Sequence, residues 1–78
     1  MEKNLVLKLI SDVICAVNDL DQLEVNENDS VDTILEWDSL TTVNLAAAIS
    51  SEFNVKISSE QLEEITSVKG IMSLLEID

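Results

Sequence analysis

The segment from Ser39 to Phe53 is apolar on two sides, and such a helix must sit where more than one neighbour can cover it. Leu45, Ala46, Ile49 and Phe53 recur at three- and four-residue spacing and form one face. Leu40, Val43 and Ala47 form a second, with Thr41, Asn44 and Ser51 on the polar strip between them. The expected architecture is therefore a bundle with this helix at its centre. The small side chains of Ala46, Ala47 and Ala48 let neighbouring helices approach closely or leave room between them.

The flanking segments supply the neighbours. From Asn4 to Val17 the residues Leu5, Leu9, Ile10, Val13 and Val17 form an amphipathic stripe that Leu20 extends, which predicts a first helix. Cys15 falls opposite that stripe and reads as a small filler residue, because no Lys, Arg or His is placed to lower its pKa. After Phe53, Asn54 suits a left-handed helix stop, and Ser58 with Gln61 forms a capping box for a short third helix ending near Ile65. Thr66 or Ser67 caps a fourth helix, with Val68, Ile71, Met72 and Leu75 on one face and Gly70 expected to weaken it. The fold class is all-α: a small four-helix bundle of three longer helices and one short, with a long loop between helices one and two.

That loop, Asn18 to Glu36, is acidic, and only Val31, Ile34 and Leu35 have the spacing of a short turn able to pin it to the core. Its carboxylates invite a calcium reading, since Asp19-Leu20-Asp21 starts like a ligand loop. The register then puts Leu23 at the fifth position, Glu24 where Gly is needed and Ser30 where the last Glu is needed. No metal site is assigned.

With 78 residues and 46% apolar content, the chain reads as one domain, 1–78, with a single core. Sixteen acidic residues against four basic ones give a formal charge of −12, which repels nucleic acid and anionic membranes and favours basic protein partners. One Cys permits no internal disulfide. Neither a basic leader nor an apolar run long enough to span a bilayer is present, so the expectation is a cytoplasmic monomer. The chain has no His and no Tyr, all four basic residues are Lys, and no nucleophile stands beside a base. No catalytic residue is assigned, and the chain is not expected to be an enzyme.

The chemistry concentrates where the acidic loop meets the central helix, at Trp37-Asp38-Ser39-Leu40. Asp38 is a good N-cap, since its carboxylate can accept from first-turn N–H groups that have no partner inside the helix. Ser39 then opens the helix, with its hydroxyl outward beside the positive end of the dipole, where a phosphate would meet free donors. Taken alone, Asp-Ser is also an ordinary capping pair.

Asp38-Ser39-Leu40, followed by Val43, Leu45, Ile49, Glu52-Phe53, Val55-Lys56-Ile57, Glu60 to Ile65 and Thr66-Ser67-Val68, resembles the acyl carrier proteins over nearly the whole chain. The resemblance implies that Ser39 carries 4′-phosphopantetheine, taken from coenzyme A and linked by a phosphodiester. The thiol of that arm holds acyl or aminoacyl groups as thioesters for fatty acid or specialised metabolite biosynthesis. It implies as partners a phosphopantetheinyl transferase that reads Asp38, an acyl- or aminoacyl-loading ligase, and acyl-using enzymes that touch Leu40, Val43 and Ala47. Two features depart from the family pattern: Glu36 stands where many members have Gly, and Asn44, Ser50 and Ser51 stand where many have acidic residues. Trp37 is closer to the carriers of specialised pathways, and as a large residue it suits an anchor at the helix start. The alternative reading is an acidic helical interaction module that is never modified.

Overall fold

The computed structural model describes residues 2–76. Four helices follow one another: α1 Glu2–Asn18, α2 Ser39–Phe53, a 3-10 helix Glu60–Thr66 and α3 Val68–Leu74. The fold is the all-α bundle that the periodicity implies, and α2 is central, packed on both α1 and the 3-10 helix. The fourth helix, expected among the longer ones, closes at Leu74 after seven residues.

The chain caps its helices with the expected chemistry. Asp38 is extended, with φ −102° and ψ −170°, and its side chain accepts from the Thr41 N–H, so α2 starts at Ser39. Asn54 ends it in the left-handed region, with φ 54° and ψ 46°, and its N–H donates to the Ser50 carbonyl. Ser58 and Gln61 form the reciprocal box: the Ser58 N–H donates to Gln61 Oε1 at 2.9 Å and the Gln61 N–H to Ser58 Oγ at 3.3 Å. Ser67 caps α3, accepting from the Gly70 N–H at 2.9 Å.

The core is built from Val6, Ile10 and Ile14 of α1, Leu45, Ala46 and Ile49 of α2, Ile65 of the 3-10 helix, and Val68, Ile71 and Met72 of α3. The α1 register differs from the expected one. Val6, Ile10 and Ile14 run down the middle of the buried face at four-residue steps, while Leu9 and Val13 flank it and Leu5 is 49% exposed at its rim. A helix start this rich in Leu and Val admits several apolar stripes, and packing selects the one that meets α2 most squarely. Thr41, expected on the polar strip of α2, is also buried, because its hydroxyl donates to the Glu36 carbonyl and accepts from Asn18.

The long loop lies on the body. Ser30 and Ser67 form an isolated antiparallel bridge, in which the Val31 N–H donates to the Thr66 carbonyl and the Val68 N–H to the Asp29 carbonyl, both at 3.0 Å. Ser11 Oγ donates to the Leu23 carbonyl at 2.6 Å, and Val25, Ile34 and Trp37 enter the core. Ile34 is the pin; Leu35, expected beside it, is 91% exposed, because adjacent residues of the turn cannot both face inward. The Lys3–Glu27 ion pair ties the loop to α1, and the hydrogen bond and charge of Lys3 hold the Glu27 carboxyl below its ordinary value. A pair this exposed adds little stability. The radius of gyration is 11.1 Å, close to the about 11.5 Å expected for a compact chain of this length, so the loop does not extend from the bundle.

Gly70, expected to weaken its helix, lies close against the backbone of the 3-10 helix at Glu64. A Cβ there would lie 2.3 Å from the Glu64 carbonyl oxygen and 2.9 Å from Ser67 Oγ. In an open helix Gly→Ala gains about 1 kcal/mol, but forcing atoms into a packed site costs roughly 1–3 kcal/mol. Gly70→Ala is therefore expected to lower the melting temperature, by on the order of 5 °C for each net kcal/mol lost. Thermal unfolding followed by circular dichroism checks this, and a rise in melting temperature contradicts it.

Candidate functional site

Three segments converge on the start of α2. Asn18, the last residue of α1, donates through Nδ2 to the Ile14 carbonyl at 2.9 Å, to the Glu36 carbonyl at 3.1 Å and to Thr41 Oγ1 at 3.3 Å. The Thr41 hydroxyl donates to the same Glu36 carbonyl at 3.0 Å. The end of α1, the end of the loop and the first turn of α2 thus share one carbonyl oxygen. Glu36 contributes through its backbone carbonyl, so its side chain is not what fixes the turn.

The next residues complete the first turn. Asp38 Oδ1 accepts from the Thr41 N–H, and the Asp38 carbonyl accepts from the Thr42 N–H, both at 2.9 Å. The Thr41 backbone N–H lowers the Asp38 carboxyl pKa most, followed by the Thr41 side chain, and together they outweigh the opposing effect of burial. Asp38 is therefore an anion committed to holding the helix, and Ser39 beside it is exposed at the first helical position. The outward placement expected for the Ser39 residue is what the fold gives.

Beside Ser39 lies an open, mostly apolar groove of about 450 Å³, lined by Val31, Trp37, Asp38, Ser39, Thr42, Val43, Leu62 and Thr66. That volume falls within the roughly 300–1,000 Å³ usual for small-molecule sites. Trp37 is only 1% exposed, so it anchors the helix start from inside. Leu40 and Val43 are 63% and 55% exposed and Ala47 is also exposed, so this second apolar face of α2 is left uncovered by the bundle. Val43 alone of these three lines the groove. Val31, Thr42, Leu62 and Thr66 were not legible as groove residues, because the Ser30–Ser67 bridge brings the loop and the 3-10 helix to α2 across a long stretch of sequence. Among the described residues no group of His, Cys, Asp and Glu is arranged to hold a metal ion.

The site fits a phosphate-linked arm: an exposed hydroxyl, a helix N-terminus with donors and a favourable dipole, and an apolar channel next to both. A family profile described as "Phosphopantetheine attachment site" matches residues 8–75. The chain is 35% identical to an acyl carrier protein of Petrotoga mobilis, an alignment that spans 96% of this chain and 88% of that one. It is 29% identical to polyketide-8 synthase acyl carrier protein 2 of Streptomyces avermitilis, over 96% of this chain and 82% of the relative. To an acyl carrier protein of Coprothermobacter proteolyticus it is 25% identical, over 97% and 93% of the two chains.

The depressed Asp38 pKa fixes the sign of a pH effect. A carboxyl whose folded pKa lies below its unfolded value contributes stability that is present above the unfolded value and lost as pH falls through the folded one. Asn keeps most of the capping ability without the titration. Asp38→Asn is expected to melt close to the native protein at neutral pH and to lose less stability on acidification. Melting temperatures measured from neutral to strongly acid pH check this; parallel acid limbs for the two proteins contradict it.

Proposed function

The chain belongs to the acyl carrier protein family, and from that premise we propose that Ser39 is the residue that bears its phosphopantetheine. The protein is a carrier that holds acyl groups on a covalently attached 4′-phosphopantetheine. When attached, this group supplies a terminal thiol on which acyl groups are held as thioesters. The family interacts with phosphopantetheinyl transferases and with enzymes that use the acyl group. The unmodified interaction module is not favoured.

One observation carries the assignment to Ser39: it is the exposed hydroxyl at the first position of a capped, fifteen-residue helix, at the mouth of an apolar groove. In the modification, Ser39 Oγ bonds to the pantetheine phosphate of coenzyme A, the nucleotide part leaves, and the hydroxyl proton passes to a base. Asp38 is engaged as the cap and the chain has no His, so the base belongs to the transferase and this chain performs no catalysis of its own. Asp38 has a second role in this reading, presenting its negative charge to the transferase. Leu40, Val43 and Ala47 form the apolar strip that loading and acyl-using enzymes touch, in place of the carboxylates that Asn44, Ser50 and Ser51 do not provide. The whole chain, 1–78, acts as one carrier domain, as a monomer in the cytoplasm. The one-domain part of that reading is supported by a single core among the described residues, in which no helix is long and apolar enough to cross a membrane.

Intact-mass analysis after incubation with coenzyme A, magnesium and a broad-specificity transferase is expected to show one added phosphopantetheinyl group. Ser39→Ala should abolish the addition, and Asp38→Asn should slow it while the fold is kept. Addition that persists in Ser39→Ala overturns the site.

A further inference from the structure

Trp37 is the chain's single Trp and the largest fully buried side chain. Its indole Nε1 is buried and has no hydrogen-bond partner among the described residues. An indole N–H can only donate, and a donor buried without an acceptor is costly, so structures seldom keep one without a use. The apolar part of its role, filling the floor under the start of α2, needs only the ring; Phe or Leu would fill a core position without bringing a donor. The surroundings explain neither the N–H nor its isolation. The carbonyl of the preceding residue, Glu36, accepts from Asn18 and Thr41 and not from the indole.

Trp37 also lines the groove that Ser39 opens onto, together with Val31, Thr42, Val43 and Leu62. Resting on the reading of Ser39 as the attachment residue, we propose that the Trp37 indole N–H is the positioning donor for a carbonyl oxygen that enters the groove with the arm or its cargo. The acceptor is an amide carbonyl of the arm or a carbonyl of the acyl group, both of which are neutral oxygens that a buried N–H can satisfy without a charge. Pairing removes the cost of the orphan donor only when the arm lies in the groove, so it favours the sheltered pose over a free one. A saturated acyl group offers no acceptor beyond its thioester carbonyl, so where the acceptor lies on the cargo, Trp37 discriminates in favour of a second carbonyl near the thioester.

The single Trp gives a single indole N–H resonance, and this makes the test direct. The ¹⁵N-labelled protein is compared as the unmodified form, as the phosphopantetheinylated form confirmed by intact mass, and as that form loaded with a saturated or with a 3-oxoacyl group. A downfield shift of the indole proton with slower exchange on phosphopantetheinylation assigns the acceptor to the arm. The same change only on loading assigns it to the cargo, with the 3-oxoacyl group giving the larger shift. Trp37→Phe should narrow the gap in melting temperature between the modified and unmodified forms. An indole proton that keeps its shift and exchange rate in every form whose mass shows modification overturns the proposal while leaving the Ser39 assignment standing. If the mass shows no modification at Ser39, the earlier reading fails instead.

Discussion

One carbonyl oxygen, that of Glu36, holds the working end of this protein together. It accepts from Asn18 at the end of α1 and from Thr41 in the first turn of α2. Two long helices and the loop that joins them are thereby fixed at a point two residues from Asp38 and three from Ser39. Buried polar groups that are fully paired specify one arrangement, because any alternative leaves a donor or acceptor without a partner. The pose of Ser39 depends on this: Thr41 gives its N–H to the Asp38 cap and its hydroxyl to Glu36, so one residue ties the cap to the anchor. On the proposed reading of Ser39 as the attachment residue, a first turn already held by these hydrogen bonds presents the serine to a transferase with less ordering cost on binding.

The second constraint is the size of the core. A chain this short buries a smaller fraction of its surface than a larger domain does, and the segment between α1 and α2 contributes Val25, Ile34 and Trp37 to make up the core. The same loop makes one wall of the groove through Val31, held against Thr66 by the Ser30–Ser67 bridge. Stability and the channel beside Ser39 therefore come from the same segment. The loop's acidic side chains face outward, and the charge they add concerns partners more than the fold.

Much of this was legible in the sequence where a residue type does one physical job. Asp38 and Asn54 mark both ends of α2 because a cap and a left-handed stop each need particular chemistry. The Ser58–Gln61 box and the Ser67 cap are of the same kind. The α1 register was less legible, since Leu5, Val6, Leu9, Ile10, Val13 and Ile14 allow more than one stripe and only the facing helix decides between them. Gly70 read as a weakness because propensity is local, whereas its close approach to Glu64 is tertiary. The groove walls were invisible for a related reason: a bridge between two serines has no sequence signature, and it brings Val31 to Leu62 and Thr66.

The claim that the Glu36 knot sets the presentation of Ser39 is tested most directly by the rate at which a broad-specificity transferase modifies Thr41→Val. Valine keeps the branched shape and replaces the hydroxyl that donates to Glu36 and accepts from Asn18. The rate is measured well below the variant's melting temperature, so that the chain remains folded. A clear drop in rate relative to the native chain is the expected result. An unchanged rate would show that the Asp38 cap alone holds the serine, and that the shared carbonyl contributes to the bundle but not to the site.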